Sequence, residues 1–221
     1  MTSTSDDPSE SPIRAVAFDM DGTLVDTVPC HEEAYRVVFA EFGIKFDVSR
    51  TRGLSTRDAI QRAINESELE SSFIENLVRL KQEKARKIIL ESTDLAFPGV
   101  VDVLVSLRQQ IPIGLCTAGS ATTVQLILAT SLQQIHFDAL VTGGDGFVAK
   151  PEPDMYVEIS RRLGFSPSQV LAIEDSPSGI IAAQRAGCKV MQIAWNGEQK
   201  FSEMVPIIRG MNELKTVMLN L

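Results

Sequence analysis

The chain has 221 residues, 44% of them hydrophobic and 23% charged, with a formal net charge of -8. That composition fits one large domain, or one domain with an insert, and no apolar run approaches the ~18 residues of a membrane span. The acidic balance argues against nucleic acid as a partner, yet allows an anionic substrate where lysine, arginine or a metal dominates one cleft.

Residues 1–12 are rich in Ser, Thr, Asp and Pro, without an apolar or Arg-rich amphipathic stretch, and read as a disordered tail. Ala15-Val16-Ala17-Phe18 reads as a short buried strand. A helix opens near Pro29, carries Tyr35, Val38, Phe39 and Phe42, and ends at Gly43. A second starts at Ser55, with Asp58 three residues on, and a third near Ser72, with Glu75 in the same relation, reaching about Leu90. Residues 29–94 thus offer helices and no strand. Phe97-Pro98-Gly99 then opens a helix through Leu107, and strands at 112–117, 139–142, 170–173 and 190–193 alternate with helices from Ser120, 153–163 and 178–186. The fold class is α/β: a doubly wound parallel sheet with an inserted all-helical block. Residues 13–28 and 95–221 form the core, and 29–94 the insert. Three cysteines, odd in number, argue against a disulfide framework and suit a reducing, cytoplasmic setting. Cys116 and Cys188 read as core fillers, and Cys30 as a thiol with no assigned task.

The residues with chemistry to offer fall just past strand ends. Asp19 and Asp21 follow the first strand, two apart, so that extended backbone sends both carboxylates the same way. Gly22 permits the sharp turn after them. Thr117 ends the second strand, Lys150 lies in Lys150-Pro151-Glu152-Pro153-Asp154, and Glu174-Asp175-Ser176 continues the fourth strand. Taken singly, Thr117 and Ser176 also suit helix caps and Lys150 a solvated loop. Taken together, at the strand ends of a parallel sheet, they converge on one edge. Four acids there need a cation, and hard oxygen donors suit Mg²⁺. Lys150 and the Thr117 hydroxyl suit phosphate oxygens, as do backbone N–H groups at Ala118, Gly119 and Ser120.

These motifs in order, with Gly179, Ala182, Ala183, Ala186 and Gly187, resemble those of the haloacid dehalogenase-like (HAD) hydrolase superfamily, in the subgroup similar to β-phosphoglucomutase. The resemblance runs from Ile13 to about Trp195. It implies a Rossmann-like HAD core and a small helical cap that closes over the site. Asp19 then resembles a nucleophile that becomes an aspartyl-phosphate, and Asp21 the general acid/base. Mg²⁺ is expected on Asp19, the Asp21 backbone carbonyl, Asp175 and, directly or through water, Glu174. Thr117 and Lys150 are expected at the phosphoryl oxygens. His31 matches a cap-entrance histidine of the subgroup, and Arg52-Gly53-Leu54-Ser55-Thr56 its specificity loop.

Two departures bear on substrate. Ala118 replaces the more usual polar residue after Thr117. Thr56 stands where sugar-phosphate mutases carry an arginine for the non-reacting phosphate, and a hydroxyl does not replace a bidentate guanidinium. Arg52 and Lys81 are the candidate substitutes. The expected function is therefore a Mg²⁺-dependent phosphatase acting on a small phosphorylated metabolite, foremost a sugar phosphate. The alternatives are a β-phosphoglucomutase-type mutase and a catalytically idle binding protein on the same fold. Neither membrane nor nucleic acid is an expected partner, and monomer and weak dimer both stay open.

Overall fold

A computed structural model describes residues 11–51, 54–92, 94–195 and 200–218. The predicted tail, apart from Ser11 and Pro12, lies outside them, as do Arg52 and Gly53. β1 (Ala15–Phe18) is buried at every position and pairs on both sides, with β2 (Ile113–Cys116) and β4 (Val170–Glu174). β3 (Ala139–Val141) lies beyond β2, and β5 (Lys189–Ile193) beyond β4. With β6 (Ile207–Ile208), the order is β3-β2-β1-β4-β5-β6, parallel throughout.

Strand alternation assigns the two faces. Val16 and Phe18 join one apolar cluster, with Leu104 of α4 (Val100–Arg108), Ile127 of α5 (Ala121–Thr130) and Leu214 of α8 (Met211–Met218). Ala15 and Ala17 join another, with Ile159 of α6 (Asp154–Leu163) and Ala183 of α7 (Pro177–Ala186). Helices therefore cover both faces, as a parallel sheet requires. Cys116 and Cys188 fill the second cluster, and all three cysteines are free thiols. Cys30 is also buried, its Sγ 3.8 Å from the Ser92 hydroxyl.

α1 (Val28–Glu41), α2 (Thr56–Asn65) and α3 (Ile74–Glu91) fall between β1 and α4. They share their own cluster, built on Tyr35, Phe39, Ile60, Ile64 and Leu77. Ser55 caps α2: its hydroxyl accepts from the Asp58 N–H at 3.1 Å and donates to the Asp58 carboxylate at 2.6 Å. The chain enters and leaves this block on adjacent paths. Asp26 N–H donates to the Leu95 carbonyl at 2.8 Å, and Phe97 N–H to the Leu24 carbonyl at 3.0 Å. The single tryptophan braces this crossing. Trp195 stacks on Phe97, with ring centroids 4.3 Å apart, and its Nε1–H donates to the Thr23 carbonyl at 3.2 Å.

One expectation needs correction. Ser72 does not cap the third helix: a 3₁₀ turn (Ser71–Phe73) precedes it, and α3 starts at Ile74 without a side-chain cap. Beyond the expected strand at 190–193, which forms as β5, the chain returns as β6 and α8 after the segment 196–199, which lies outside the described residues.

Candidate active site

The strand ends do meet. Lys150 Nζ is buried and donates to Asp19 Oδ1 (2.6 Å), Glu174 Oε1 (2.6 Å) and the Cys116 carbonyl (2.8 Å), which draws β1, β2 and β4 onto one ammonium. These contacts occupy all three of its donors. Glu174 is fully buried and further held by the Tyr156 hydroxyl (2.7 Å, on Oε1) and the Ser176 hydroxyl (3.1 Å, on Oε2). Thr23 donates to Asp175 Oδ1 at 3.2 Å. Gly22, at φ +89°, lies so close to Asp175 that a Cβ there would sit 2.2 Å from Oδ2. Only glycine satisfies both the left-handed turn and that approach.

Carboxylate oxygens of Asp19, Glu174 and Asp175 lie within 4.8 Å of one another. Burial pushes the Asp19 carboxyl well above its ordinary range; Lys150 opposes this, while Glu174, Asp175 and Asp21 add to it. Burial, then Glu174, pushes Asp175 up to about 8. One ammonium against three crowded carboxylates leaves negative charge uncompensated. A hard divalent cation with oxygen preference fits this donor set.

The Asp21 carboxylate lies outside that cluster and serves another one. Thr27 donates to its Oδ1 at 2.5 Å and Thr117 to its Oδ2 at 3.4 Å, while His31 Nε2 lies 3.5 Å from Oδ1. Burial alone would raise Asp21, but His31, Thr27 and Lys81 outweigh it and hold the carboxyl below its usual value. Lys81, on α3, is buried with its ammonium 3.0 Å from His31 Nδ1 and 4.4 Å from the centre of the Tyr35 ring. An ammonium can only donate, so His31 Nδ1 accepts and its Nε2–H faces Asp21.

The remaining expected site residues fall as follows. Gly119 N–H donates to Thr117 Oγ1 at 3.0 Å, and Gly119 O accepts from Gly143 N–H at 2.9 Å. Ala118 sits where its carbonyl would meet any Cβ on Gly143 at 2.2 Å. Ser120, not Thr117, caps α5. Thr56, half-buried at the start of α2, lies beside the Tyr35 hydroxyl and offsets part of the upward push that burial gives it. Tyr35, Thr27 and Tyr156 escaped sequence reasoning as functional candidates. Tyr156 shares helical spacing with Ile159, a core pattern that conceals its hydroxyl.

A doubly wound parallel sheet with two carboxylate environments at the ends of its central strands places an acidic site at the edge where such sheets bind ligands. Residues 13–187 match the family described as haloacid dehalogenase-like hydrolase, and the chain belongs to that family. It is 32% identical to fructose-1-phosphate phosphatase YqaB of Escherichia coli (strain K12), over 80% of this chain and 94% of the relative. It is also 32% identical to (DL)-glycerol-3-phosphatase 2 of Arabidopsis thaliana, over 82% and 79%. Among solved structures, β-phosphoglucomutase of Clostridium difficile shares the fold, with TM-score 0.79 and 23% identity over 94% of this chain and 96% of that one.

Proposed function

We propose that this protein is a Mg²⁺-dependent phosphatase that hydrolyses a small phosphorylated metabolite of the sugar- or polyol-phosphate class through an aspartyl-phosphate on Asp19. The observation that carries this is the division of labour between two carboxylates two residues apart. Asp19 is held by Lys150 beside Glu174 and Asp175, whereas Asp21 is held by Thr27, Thr117 and His31. Mg²⁺ on Asp19, Glu174 and Asp175 would neutralise charge on the entering phosphoryl group. Asp19 attacks phosphorus through a carboxylate oxygen, and the P–O bond to the leaving group breaks as Asp21, in its acid form, protonates that oxygen. Water then attacks the acyl phosphate, Asp21 takes its proton, and Asp19 and inorganic phosphate are released. The lowered Asp21 carboxyl suits the second step; the first calls for the His31 contact to loosen as substrate enters.

Residues 29–94 act as the cap in this reading, with the paired linkers near Asp26 and Leu95 as the hinge. Thr56 is engaged with Tyr35, and Arg57 points outward in an ion pair with Glu75. Neither is arranged to clamp a second phosphate, which supports hydrolysis of a monophosphate over a bisphosphate-handling mutase.

The test is phosphate release with Mg²⁺ against phosphorylated sugars and polyols. Fructose 1-phosphate and glycerol 3-phosphate lead the panel because the relatives carry those names. Release abolished by EDTA and by Asp19→Asn, with the fold retained, is the expected result. Conversion of β-glucose 1-phosphate to glucose 6-phosphate without free phosphate would replace this reading with the mutase.

A further inference from the structure

Glu174 is the most heavily anchored carboxylate of the site, and one of its anchors belongs to no motif. Its Oε1 accepts two hydrogen bonds at once, from Lys150 Nζ at 2.6 Å and from the Tyr156 hydroxyl at 2.7 Å. Tyr156 stands in the first turn of α6, fully buried, with its ring under the Lys150 ammonium at 5.1 Å. The same ring packs with Ala172 of β4 and Ala183 of α7 in the second core cluster. The packing fixes the ring, the ring fixes the hydroxyl, and the hydroxyl occupies an oxygen that Lys150 would otherwise have to itself.

We propose that Tyr156 is a positioning residue: by sharing Glu174 Oε1 it limits the pull of Glu174 on Lys150, and so keeps the ammonium seated on Asp19 and the three-carboxylate cluster preformed for Mg²⁺. The geometry gives the reason. Lys150 divides its donors among Asp19, Glu174 and the Cys116 carbonyl, with equal 2.6 Å contacts to the two carboxylates. Without the phenol, the buried Glu174 loses a donor and draws the ammonium towards itself, away from Asp19. Groups that orient metal ligands from behind are commonly worth 10–100-fold in metal affinity or activity.

This inference rests on the phosphatase reading for its kinetic consequence but not for its binding consequence, and the experiment separates the two. Mg²⁺ alone is titrated calorimetrically into wild type, Tyr156→Phe, Glu174→Gln and the double variant, with circular dichroism to verify the fold. Tyr156→Phe is expected to weaken Mg²⁺ binding about tenfold and to lower kcat about tenfold, with KM within about twofold. Because Tyr156 acts through Glu174, the double variant should bind Mg²⁺ like Glu174→Gln alone, within about twofold. Tyr156→Met, which fills the space without a hydroxyl, should reproduce the Phe result and covers a folding failure specific to Phe. Wild-type Mg²⁺ affinity in a folded Tyr156→Phe overturns the proposal, and so do losses that multiply in the double variant. A wild type that binds Mg²⁺ but hydrolyses nothing overturns the phosphatase reading and leaves the binding comparison decisive for Tyr156. Absence of Mg²⁺ binding in the wild type overturns both.

Discussion

Gly179 lies in the first turn of α7, and a methyl group added there would sit 2.0 Å from the Glu174 carboxyl carbon. Glu174 has no room to retreat, since Lys150, Tyr156 and Ser176 hold both its oxygens. Gly179→Ala should therefore destabilise the fold by about 1–3 kcal/mol, the usual cost of overpacking, and lower turnover by displacing the carboxylate. Gly144→Ala is the control, because a Cβ there meets nothing nearer than 3.6 Å. Urea denaturation and kcat of both variants decide it; equal effects would show that Glu174 can shift without loss. At this scale the sequence exposed the residues whose identity is chemically unusual: paired acids past a strand, a lysine before proline, a glycine at a turn. It concealed residues whose identity is ordinary. Tyr156 and Thr27 look like core and cap residues, and only the folded neighbourhood shows Thr27 donating to Asp21 and Tyr156 to Glu174.

Among the elements, strands and helices were legible where one local signal sufficed. β1 matches its apolar run, and Ser55 and Ser120 cap α2 and α5 as short polar residues ahead of apolar spacing. α3 was misread at its start, because Ser72 and Glu75 mimic a capping pair while the chain there turns as 3₁₀. β6 was missed for a different reason. Two residues carry no periodicity, and Ile207–Ile208 is a strand only because β5 is there to pair with it. α3 also bears a prediction. Burial lowers its Lys81 ammonium to about 8 from the ordinary 10.5, with Asp21 opposing. Between those values the unfolded chain binds more protons than the folded one, so this group's contribution to stability rises with pH from about 8 to 10.5. Below about 8 the buried charge is a net burden. Lys81→Met should thus be more stable than wild type at pH 7, by about 1–4 kcal/mol, and lose that advantage as pH approaches 10.5. Its activity should fall, since the contact to His31 is lost. Urea denaturation of both proteins at pH 7 and pH 10 checks the sign. A variant less stable at pH 7 would mean that the ammonium stabilises the cap.

For the whole molecule, the site concentrates what the composition spreads thinly. A net charge of -8 over 221 residues is mild, but Asp19, Glu174 and Asp175 come together at one sheet edge because β1 and β4 are neighbours in the strand order. The fold thereby stores electrostatic repulsion that only the native state feels. A cation that fits the cluster binds the folded chain and not the unfolded one, so Mg²⁺ should stabilise by mass action, by about 2.7 kcal/mol at a hundredfold excess over its dissociation constant. For a chain of this size that corresponds to a rise in Tm of about 5–10 °C. Thermal melts with MgCl₂, against NaCl at matched ionic strength, should show the rise, and EDTA should reverse it. Asp175→Asn should remove most of the Mg²⁺ increment, because it deletes a donor from the cluster while keeping its shape. An equal rise with NaCl would make the effect general screening of an acidic surface, and the cluster would then have no special claim on the metal.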